Sequence, residues 1–228
     1  MSKDLRIVAM SAPLRREIEA RLRVAIVEGH FKPGERLVER EMCKRLGVSR
    51  ASLREALRQL EAEQLVTLVP HRGPAVAEIR AEEAKELYDV RAMLEGLAAR
   101  RFAELASDDD IALLREAVDG FANVVRGNGD QSPISAKAEI YKVLLDRCGN
   151  GVARRILIQL NNRISLLRAT SMSQEGRVQK SLSEIRKIVD AIERRDADGA
   201  WAASIEHVEE AAKAALSVLH QQQESRTT

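Results

Sequence analysis

The stretch GVSRASLREAL, residues 47–57, constrains the fold most strongly, because it stops one helix and starts another within a few residues. Gly47 ends a short helix that the pattern predicts over residues 39–46, since glycine commonly follows a helix C-terminus. Ser49 suits the N-cap of the next helix, which runs to about Glu63, because its hydroxyl can accept a backbone N–H. Two short helices joined by so tight a turn indicate a helix-turn-helix.

The flanking segments extend this motif on both sides. Apolar residues follow helical spacing from Leu14 to Ile26, and Gly29 with the PG of FKPGERL ends that first helix. After the third helix, LVTLV and PAVAEI are short β-branched segments joined by PHRG, which predicts a hairpin. Helix, helix, turn, helix and hairpin is the order of a winged helix-turn-helix domain, which we assign to residues 1–79.

Residues 80–228 contain no convincing strand. Ser107 with three aspartates suits a helix start, and Cys148-Gly149-Asn150 suits a helix end. Apolar residues at helical spacing mark six helices, namely Leu87 to Leu97, Ile111 to Val118, Ile140 to Leu145, Ile156 to Leu167, Val178 to Val189 and Trp201 to Leu219. The predicted fold class is therefore mostly α: an N-terminal winged helix-turn-helix over 1–79 and an all-helical bundle of six to seven helices over 80–228.

Composition fits a globular chain of two modest domains. The 228 residues are 45% hydrophobic and 32% charged, which argues against disorder. Apolar runs fall short of the roughly 20 residues that cross a bilayer, and the first residues lack a signal-peptide core. We expect a cytoplasmic protein without a membrane partner. Cys43 and Cys148 stand outside metal-binding spacing and are expected to be reduced thiols.

Charge is distributed unevenly along the chain. The net charge is only +2, which by itself predicts no polyanionic partner. Residues 1–79 contain 15 basic and 11 acidic side chains, whereas residues 80–228 contain 22 and 24. A basic excess confined to the first domain points to nucleic acid as its partner.

Arg50, Arg54 and Arg58 cover one arc of the third helix, beside an arc of leucine and alanine. One interpretation is a solvated face with Arg–Glu pairing. The other is a recognition helix, favoured by the preceding helix and turn and by the hairpin with Arg72-Gly73 at its tip. Arginine suits that task because its planar fork bonds guanine O6 and N7 together, or clamps a phosphate.

The segment PGERLVEREMCKRLGVSRASLREALRQLEAEQLVTLVPHRGPAV, residues 33–76, resembles the GntR superfamily of bacterial transcription regulators. The family pattern is roughly PG-x-x-L-x-E, then LGVSR-x-x-(V/L)REAL-x-x-LE-x-x-GLV, then a wing ending in P-x-RG. The second domain carries R-x-x-LE at residues 91–95 and GN at 149–150 before a helix. These features are similar to the FadR-type branch, whose effector-binding part is the FCD domain.

The resemblance implies which residues contact DNA. The recognition helix and its neighbours contribute most of them, and the wing tip contributes the rest. These residues are Arg40, Ser49, Arg50, Arg54, His71, Arg72 and Gly73. Lys44, Arg45 and Arg58 are lesser candidates for phosphate contacts or are plain surface. We expect double-stranded DNA, as an inverted-repeat operator, to be bound by a homodimer.

The second domain departs from the metal-binding pattern of many FCD regulators, which hold an ion on one aspartate and three histidines. By the landmarks Gly149-Asn150 and Arg195-Asp196-Ala197, the ligand positions fall on Lys137, Tyr141, Ile185 and His207. Three of these four lack the ligand chemistry that zinc-type ions require. We predict no bound metal and no cofactor.

An anion-binding site is the alternative to a metal site at these positions. Lys137 would place a positive charge where the cation lies in such relatives, with Arg91, Tyr141 and His207 as polar neighbours, so the predicted effector is a small organic acid. The opposing interpretations are that Lys137 extends to solvent, that Tyr141 fills space, and that His207 is a hydrogen-bonded structural residue. Asn162 and Arg163 also stand as possible lining residues.

The resulting functional prediction is a sequence-specific transcription regulator, a repressor by the commoner pattern, whose operator affinity a metabolite modulates. Activation stays open as the other sign of regulation. The chain lacks GxGxxG, P-loop, GxSxG and HExxH motifs, so we predict that it is not an enzyme. The alternative is an all-helical interaction or scaffold protein with a non-specific DNA-binding head.

Overall fold

The computed structural model describes residues 12–69 and 72–227, and the chain divides into two units, Met1–Glu78 and Ile79–Thr228. The described part of the first unit contains three helices and a hairpin. These are α1 (Ala12–Val27), α2 (Glu39–Leu46), α3 (Arg50–Ala62), β1 (Val66–Val69) and β2 (Gly73–Val76). The order and bounds confirm the predicted winged helix-turn-helix, with the second strand ending three residues earlier than the PAVAEI segment.

The core of the first unit lies where α1 and α2 pack on the inner face of α3. Leu53, Leu57 and Leu60 of α3 are at most 1% exposed, as the predicted apolar arc requires. Burying each such side chain stabilises the fold by roughly 1.5–3 kcal/mol. The arginine arc of the same helix is left outside.

The hairpin pairs antiparallel from Val66 opposite Val76 to Val69 opposite Gly73. Its second strand is also covered on the other edge by residues 34–37, because the Leu37 N–H donates to the Pro74 carbonyl and the Val76 N–H donates to the Glu35 carbonyl. Pairing on both sides of β2 fixes the wing to the start of α2. The structure therefore holds the wing beside the helix-turn-helix.

The described part of the second unit is all helical, which confirms the rest of the predicted fold class. Its helices are α4 (Ala81–Leu105), α5 (Asp108–Val125), α6 (Pro133–Arg147), α7 (Gly151–Met172), α8 (Arg177–Glu193) and α9 (Ala197–Thr227). Ser107 caps α5 through a complete capping box with Asp110, as the predicted helix start suggests. Within the described residues, no helix is long and apolar enough to cross a membrane.

Helix α4 is the central helix of this bundle and packs along α9. Gly96 allows the close approach, since a Cβ there would lie 3.2 Å from Cγ1 of Ile205 and 3.4 Å from the ring of Trp201. The buried face of α4 is partly polar, because Arg91 and Glu95 are at most 1% exposed while Val90 and Met93 are exposed. This polar face begins the second candidate site.

Candidate DNA-binding surface and buried polar cluster

The turn before α3 is built as its sequence predicts. Gly47 adopts φ 68°, a left-handed conformation that favours glycine, and its N–H donates to the Cys43 carbonyl. The Ser49 hydroxyl accepts the Ser52 N–H at 3.1 Å and lies 2.9 Å from the Ser52 hydroxyl, so it caps α3. The cap orients the first turn of α3 and leaves Arg50 and Arg54 exposed.

A groove of about 360 Å³ runs between α2, α3 and the wing. Its lining brings together three of the predicted DNA-binding arginines and the predicted wing glycine. The lining residues are Arg36, Leu37, Val38, Glu39, Arg40, Arg50, Arg54, Gly73 and Pro74. Arg36 was missed in the sequence, because only the pairing of residues 34–37 with β2 places it beside the wing. Four guanidinium groups on one exposed groove form a surface suited to phosphates and base edges.

Arg54 is paired with Glu39 but is not buried by that pair. Its Nε donates to the two carboxylate oxygens of Glu39 at 2.9 and 3.1 Å, while 62% of the Arg54 side chain stays exposed. The hydrogen bond and charge of Glu39 raise the pKa of the Arg54 guanidinium. The pair connects α2 to α3 and holds the arginine in the groove.

The other predicted contacts are placed less decisively. Arg72 is exposed and its N–H donates to the Val69 carbonyl, whereas His71 lies outside the described residues. Arg58 forms an exposed ion pair with Glu55, and the Arg45 guanidinium lies 5.7 Å from the Phe31 ring. The assignment of individual DNA contacts stays a prediction.

The second unit contains a buried polar cluster, to which five of its helices contribute. Most of its side chains are less than 6% exposed, although they are charged or polar. We define the buried polar cluster as Tyr88, Arg91, Glu95, Lys137, Tyr141, Arg168, Arg177, Ser181, Glu184 and His207. It contains all four predicted effector-binding residues, Arg91, Lys137, Tyr141 and His207.

One end of the cluster is centred on Glu95. Its carboxylate accepts Nε of Arg91 at 3.0 Å and lies 3.6 Å from Nη2 of Arg168. The Arg168 guanidinium also stacks 3.9 Å from the Tyr141 ring centre, and that of Arg91 lies 4.9 Å from the Tyr88 ring. Burial opposes ionisation of Glu95, yet Arg91 and Arg168 outweigh it and lower the pKa of the carboxyl.

The other end is centred on Glu184. Its Oε2 lies 2.5 Å from Nδ1 of His207 and accepts Nη2 of Arg177 at 2.9 Å. Nε2 of His207 faces Nζ of Lys137 at 3.0 Å, and Lys137 also donates to the Ser181 hydroxyl at 2.9 Å. Lys137 therefore does not extend to solvent, since it is only 2% exposed. That sequence-based alternative is wrong for this residue.

Basic side chains outnumber carboxylates in the cluster, since Arg91, Lys137, Arg168 and Arg177 lie beside Glu95 and Glu184. Burial, with the neighbouring charges of Arg168 and Arg91, sets the pKa of Lys137 well below its usual range. Burial and the Lys137 charge likewise lower the pKa of His207, so its imidazole is neutral at neutral pH. Buried groups of like charge in such proximity are costly without an anion between them.

Several guanidinium N–H groups of the cluster are left without a partner. Among the described residues, the buried side-chain nitrogens that lack a hydrogen bond include Nη1 of Arg91, Nε of Arg168, and Nε and Nη1 of Arg177. A buried donor without an acceptor costs free energy comparable to a lost hydrogen bond. Carboxylate and phosphate oxygens are the preferred acceptors for such donors. Oε1 of Glu184 is likewise buried without a hydrogen bond.

The cluster does not fit a metal ion. Lys137 places an ammonium group against the one histidine of the four predicted ligand positions, and Tyr141 is stacked under Arg168. Ile185 lies in the apolar core, 3% exposed, so Ser181 one turn earlier is the α8 residue that meets Lys137. In the part of the chain that the structure describes, no group of three or more metal-ligating side chains is found.

The sequence reasoning missed Glu95, Arg168, Arg177, Ser181 and Glu184 as members of this site. For two of them, Glu95 and Arg168, the sequence contains a pattern that could have predicted membership of the cluster. Arg91 and Glu95 are spaced as an i, i+4 ion pair, and Arg168 interrupts the apolar run ISLLRATSM, where a lone charge indicates a buried partner. The α8 residues give no such signal, because their spacing is that of an ordinary amphipathic helix.

Both units match known families. The family described as "Bacterial regulatory proteins, gntR family" matches residues 14–76, and the FCD domain matches residues 86–210, more than half of the chain. The chain belongs to the GntR family. Its FCD domain is the unit that holds the buried polar cluster, and its GntR domain holds the arginine groove.

Relatives of this GntR protein are regulators as well. It is 27% identical to the HTH-type transcriptional regulator YdhC of Bacillus subtilis over 180 residues, 78% of this chain and 80% of that one. It is 26% identical over 202 residues to the galactonate operon transcriptional repressor of Escherichia coli, 79% of this chain and 87% of that one. A GntR regulator structure from Rhodococcus sp. RHA1, 23% identical, covers 90% of this chain and 99% of its own with a TM-score of 0.76, and shows the same fold. The chain is a transcription regulator and not an enzyme, as predicted.

Proposed function

We propose that this GntR regulator is a repressor that binds an inverted-repeat operator as a homodimer and is released by a small acidic metabolite in its FCD domain. The observation that carries the proposal is the combination of two cationic sites in one chain. One is the exposed arginine groove, and the other is the buried polar cluster with unpartnered guanidinium donors. A named repressor among the relatives supports the sign of regulation.

The placement of the arginines in the groove supports sequence-specific contact with DNA rather than binding to any polyanion. Arg50 and Arg54 lie in the N-terminal half of α3, where a recognition helix meets base edges. Arg36 and Gly73 border the same groove from the wing side, where phosphate contacts would fix the register. Two such heads related by two-fold symmetry would read the two halves of an inverted repeat.

The effector part of the proposal rests on energetic coupling. An acid can alter operator affinity only if it binds the DNA-competent and the DNA-free states with different affinities. A coupling of about 1–3 kcal/mol is typical and changes operator occupancy several-fold or more. The buried polar cluster connects five helices of the FCD domain, so a bound anion would change the electrostatic interactions among those five helices.

A gel-shift experiment tests this proposal with the full chain and the DNA upstream of its own gene. We expect retardation that a specific unlabelled duplex abolishes and that random duplex leaves in place. Adding millimolar succinate, glutarate or citrate to the complex tests release. Retardation that random duplex abolishes equally would instead support the scaffold alternative with a non-specific head. No retardation at low salt would overturn both.

A further inference from the structure

We infer that Lys137 is an attachment point for a small aldehyde or ketone, whose carbonyl carbon its amine binds reversibly as an imine. The inference rests on the proposed function for its location, because Lys137 lies in the buried polar cluster. It goes beyond that function by naming a covalent bond and a carbonyl group on the ligand. The bond can be detected in the absence of DNA.

The amino group of Lys137 is held in one position by two neighbours. Its Nζ lies 2.9 Å from the Ser181 hydroxyl and 3.0 Å from Nε2 of His207. The ring of His207 is itself oriented by Glu184, whose Oε2 lies 2.5 Å from Nδ1. An unprotonated amine has two N–H groups and one lone pair. When Ser181 and His207 accept hydrogen bonds from the two N–H groups, the lone pair points away from both and is available to a carbonyl carbon.

The surroundings of Lys137 favour the unprotonated amine, which is the form that reacts with carbonyl compounds. Among the described residues, its amino group hydrogen bonds to a hydroxyl and an imidazole but to no carboxylate. Burial sets the pKa of this amine well below its usual range. The charges of Arg168, Arg91 and Arg177 act in the same direction, and each acts more strongly than the opposing charge of Glu95. Lysines that form imines are likewise desolvated or placed beside cations.

The reaction needs no reagent beyond the amine and the carbonyl compound. The lone pair of Nζ forms a bond to the carbonyl carbon, the π electrons move to the oxygen, and one proton passes from nitrogen to oxygen to give a carbinolamine. The C–O bond then breaks as the second N–H proton is lost, which leaves a C=N bond and releases one water molecule. Both hydrogens of that water come from the amine. No oxidation or reduction occurs, and added water reverses both steps.

His207 is placed to carry these protons. Its Nε2 faces Nζ of Lys137 at 3.0 Å, which is within reach for proton transfer. Burial lowers the pKa of the imidazole, so Nε2 is unprotonated at neutral pH and free to accept. Nδ1 is fixed by Oε2 of Glu184, as a base held by an orienting group requires.

A pocket of about 380 Å³ at the start of α8 reaches one member of the cluster. It is bordered by Arg177, which is 4% exposed and pairs with Glu184 through Nη2. Nε and Nη1 of Arg177 have no hydrogen bond that a movement of this side chain would break. Glu210 pairs with both Lys180 and Lys213 at the mouth, so neither lysine is left free for an anion. The mouth therefore suits neutral aldehydes and ketones as well as acids.

Reductive trapping on the full-length protein tests the inference. Sodium cyanoborohydride at neutral pH converts an imine into a stable secondary amine, which makes the chain heavier by the mass of the carbonyl compound less one oxygen atom. The probes are acetaldehyde, pyruvate, succinic semialdehyde and 2-oxoglutarate, each compared with the corresponding alcohol. Intact mass spectrometry counts the adducts, and peptide mapping locates them.

We expect at least one carbonyl compound to label Lys137 about tenfold or more faster than Lys142, the exposed lysine of the same helix. An ordinary lysine, with a pKa of about 10.4, is almost fully protonated at neutral pH and reacts slowly. The alcohols should give no adduct. Labelling of Lys137 no faster than that of Lys142, or no labelling at all, would overturn the inference.

Two variants assign the bond and the proton carrier. K137R keeps a basic side chain but has no amine, so the fastest adduct should disappear from the intact mass spectrum, whereas the matched control K142R should keep it. H207Q keeps a hydrogen-bonding side chain and removes the base, so we expect the labelling rate of Lys137 to fall about tenfold or more. Undiminished labelling of K137R would contradict the attachment point, and undiminished labelling of H207Q would contradict the role of the histidine. Circular dichroism of each variant confirms that loss of labelling is not loss of fold.

The two proposals fail separately. Labelling of Lys137 without selective operator retardation would refute the repressor and leave the attachment point intact. Selective retardation without labelling of Lys137 would refute the attachment point and leave the regulator intact.

Discussion

Nζ of Lys137 lies 3.0 Å from Nε2 of His207, so two basic nitrogens share one buried contact. The other ring nitrogen of His207 lies 2.5 Å from Glu184, where it donates as Nδ1–H and leaves Nε2 to accept from the lysine. The relay Glu184, His207, Lys137 is thus ordered in one direction. These contacts hold the amino group of Lys137 near three buried arginines, where it contributes little to the stability of the ligand-free protein.

Replacing Lys137 with methionine should stabilise the ligand-free protein while removing acid binding. The substitution removes a buried ammonium that Arg168, Arg91 and Arg177 repel, and methionine fills a similar volume. We expect the free energy of unfolding to rise by about 1 kcal/mol or more in urea titrations, with the stabilisation by succinate lost. The exposed Lys142 of the same helix gives the control K142M, which should change neither quantity. A destabilised K137M that still binds succinate would contradict the site.

The stability of the ligand-free protein should decrease as the pH falls below about 6.5, the ordinary pKa of histidine. Because burial and Lys137 lower the pKa of His207 in the folded state, the unfolded chain takes up a proton there that the folded protein refuses. Stability that this residue provides is present above pH 6.5 and is lost as the pH falls toward its folded pKa. Thermal melts from pH 8 to 5 measure the slope. The variant H207Q should show a shallower slope, and an unchanged one would show that other groups dominate.

How far the sequence predicts this structure depends on whether the signal is local. The break at Gly47, the cap at Ser49 and the bounds of α2 follow from neighbouring residues, and the structure reproduces them. The buried polar face of α4 does not follow, because period alone marks Val90 as apolar and Arg91 as polar, whereas the fold exposes the first and buries the second. Burial of a charge depends on partners from α6, α7, α8 and α9, which no single helix pattern contains.

Replacing Arg54 with alanine should weaken operator binding by about 1–3 kcal/mol and relax the choice of one base pair. Arg54 is exposed in the groove and projects from the half of α3 that would enter the major groove. Fluorescence anisotropy with the operator and with single-base variants of it measures both effects. R58A is the matched control, because Arg58 lies one turn further along the helix in a pair with Glu55. Equal losses of operator affinity for R54A and R58A would mean that the helix contacts DNA through positive charge alone, without reading a base.

Replacing Glu39 with glutamine should raise affinity for DNA of any sequence and reduce discrimination. Glu39 places a negative charge 2.9 Å from Arg54 in the groove that we propose to contact phosphates, so its removal should strengthen non-specific DNA binding. Glutamine also accepts a weaker hydrogen bond and orients Arg54 less firmly. Anisotropy titrations at several salt concentrations, with operator and random duplex, separate the change in non-specific affinity from the change in discrimination. A lower affinity for both duplexes would show that the pair is needed to build the groove.

The two candidate sites were predictable to different degrees, because one depends mainly on neighbouring residues and the other on how distant helices pack. The arginine groove is largely encoded by one helix and its turn, and only Arg36 required the strand pairing of residues 34–37 to be seen. Four residues of the buried polar cluster were predicted from the sequence. The Arg168–Glu95 and Arg177–Glu184 pairs became visible only when the helices were packed. Ser181 was also missed, because its contact with Lys137 depends on how α6 and α8 pack.

The same substitution, glycine to alanine, should have opposite effects at Gly149 and Gly120. Gly149 ends α6 with φ 65°, a conformation that costs an L-residue free energy, and a Cβ there would lie 2.6 Å from Cδ1 of Leu105. G149A should therefore lower the free energy of unfolding by more than about 1 kcal/mol. Gly120 lies within α5 with open space around its missing Cβ, so G120A should raise stability by up to about 1 kcal/mol through helix propensity. Urea titrations of both variants against the parent measure the contrast, and a G149A protein as stable as G120A would show that the end of α6 tolerates a right-handed turn.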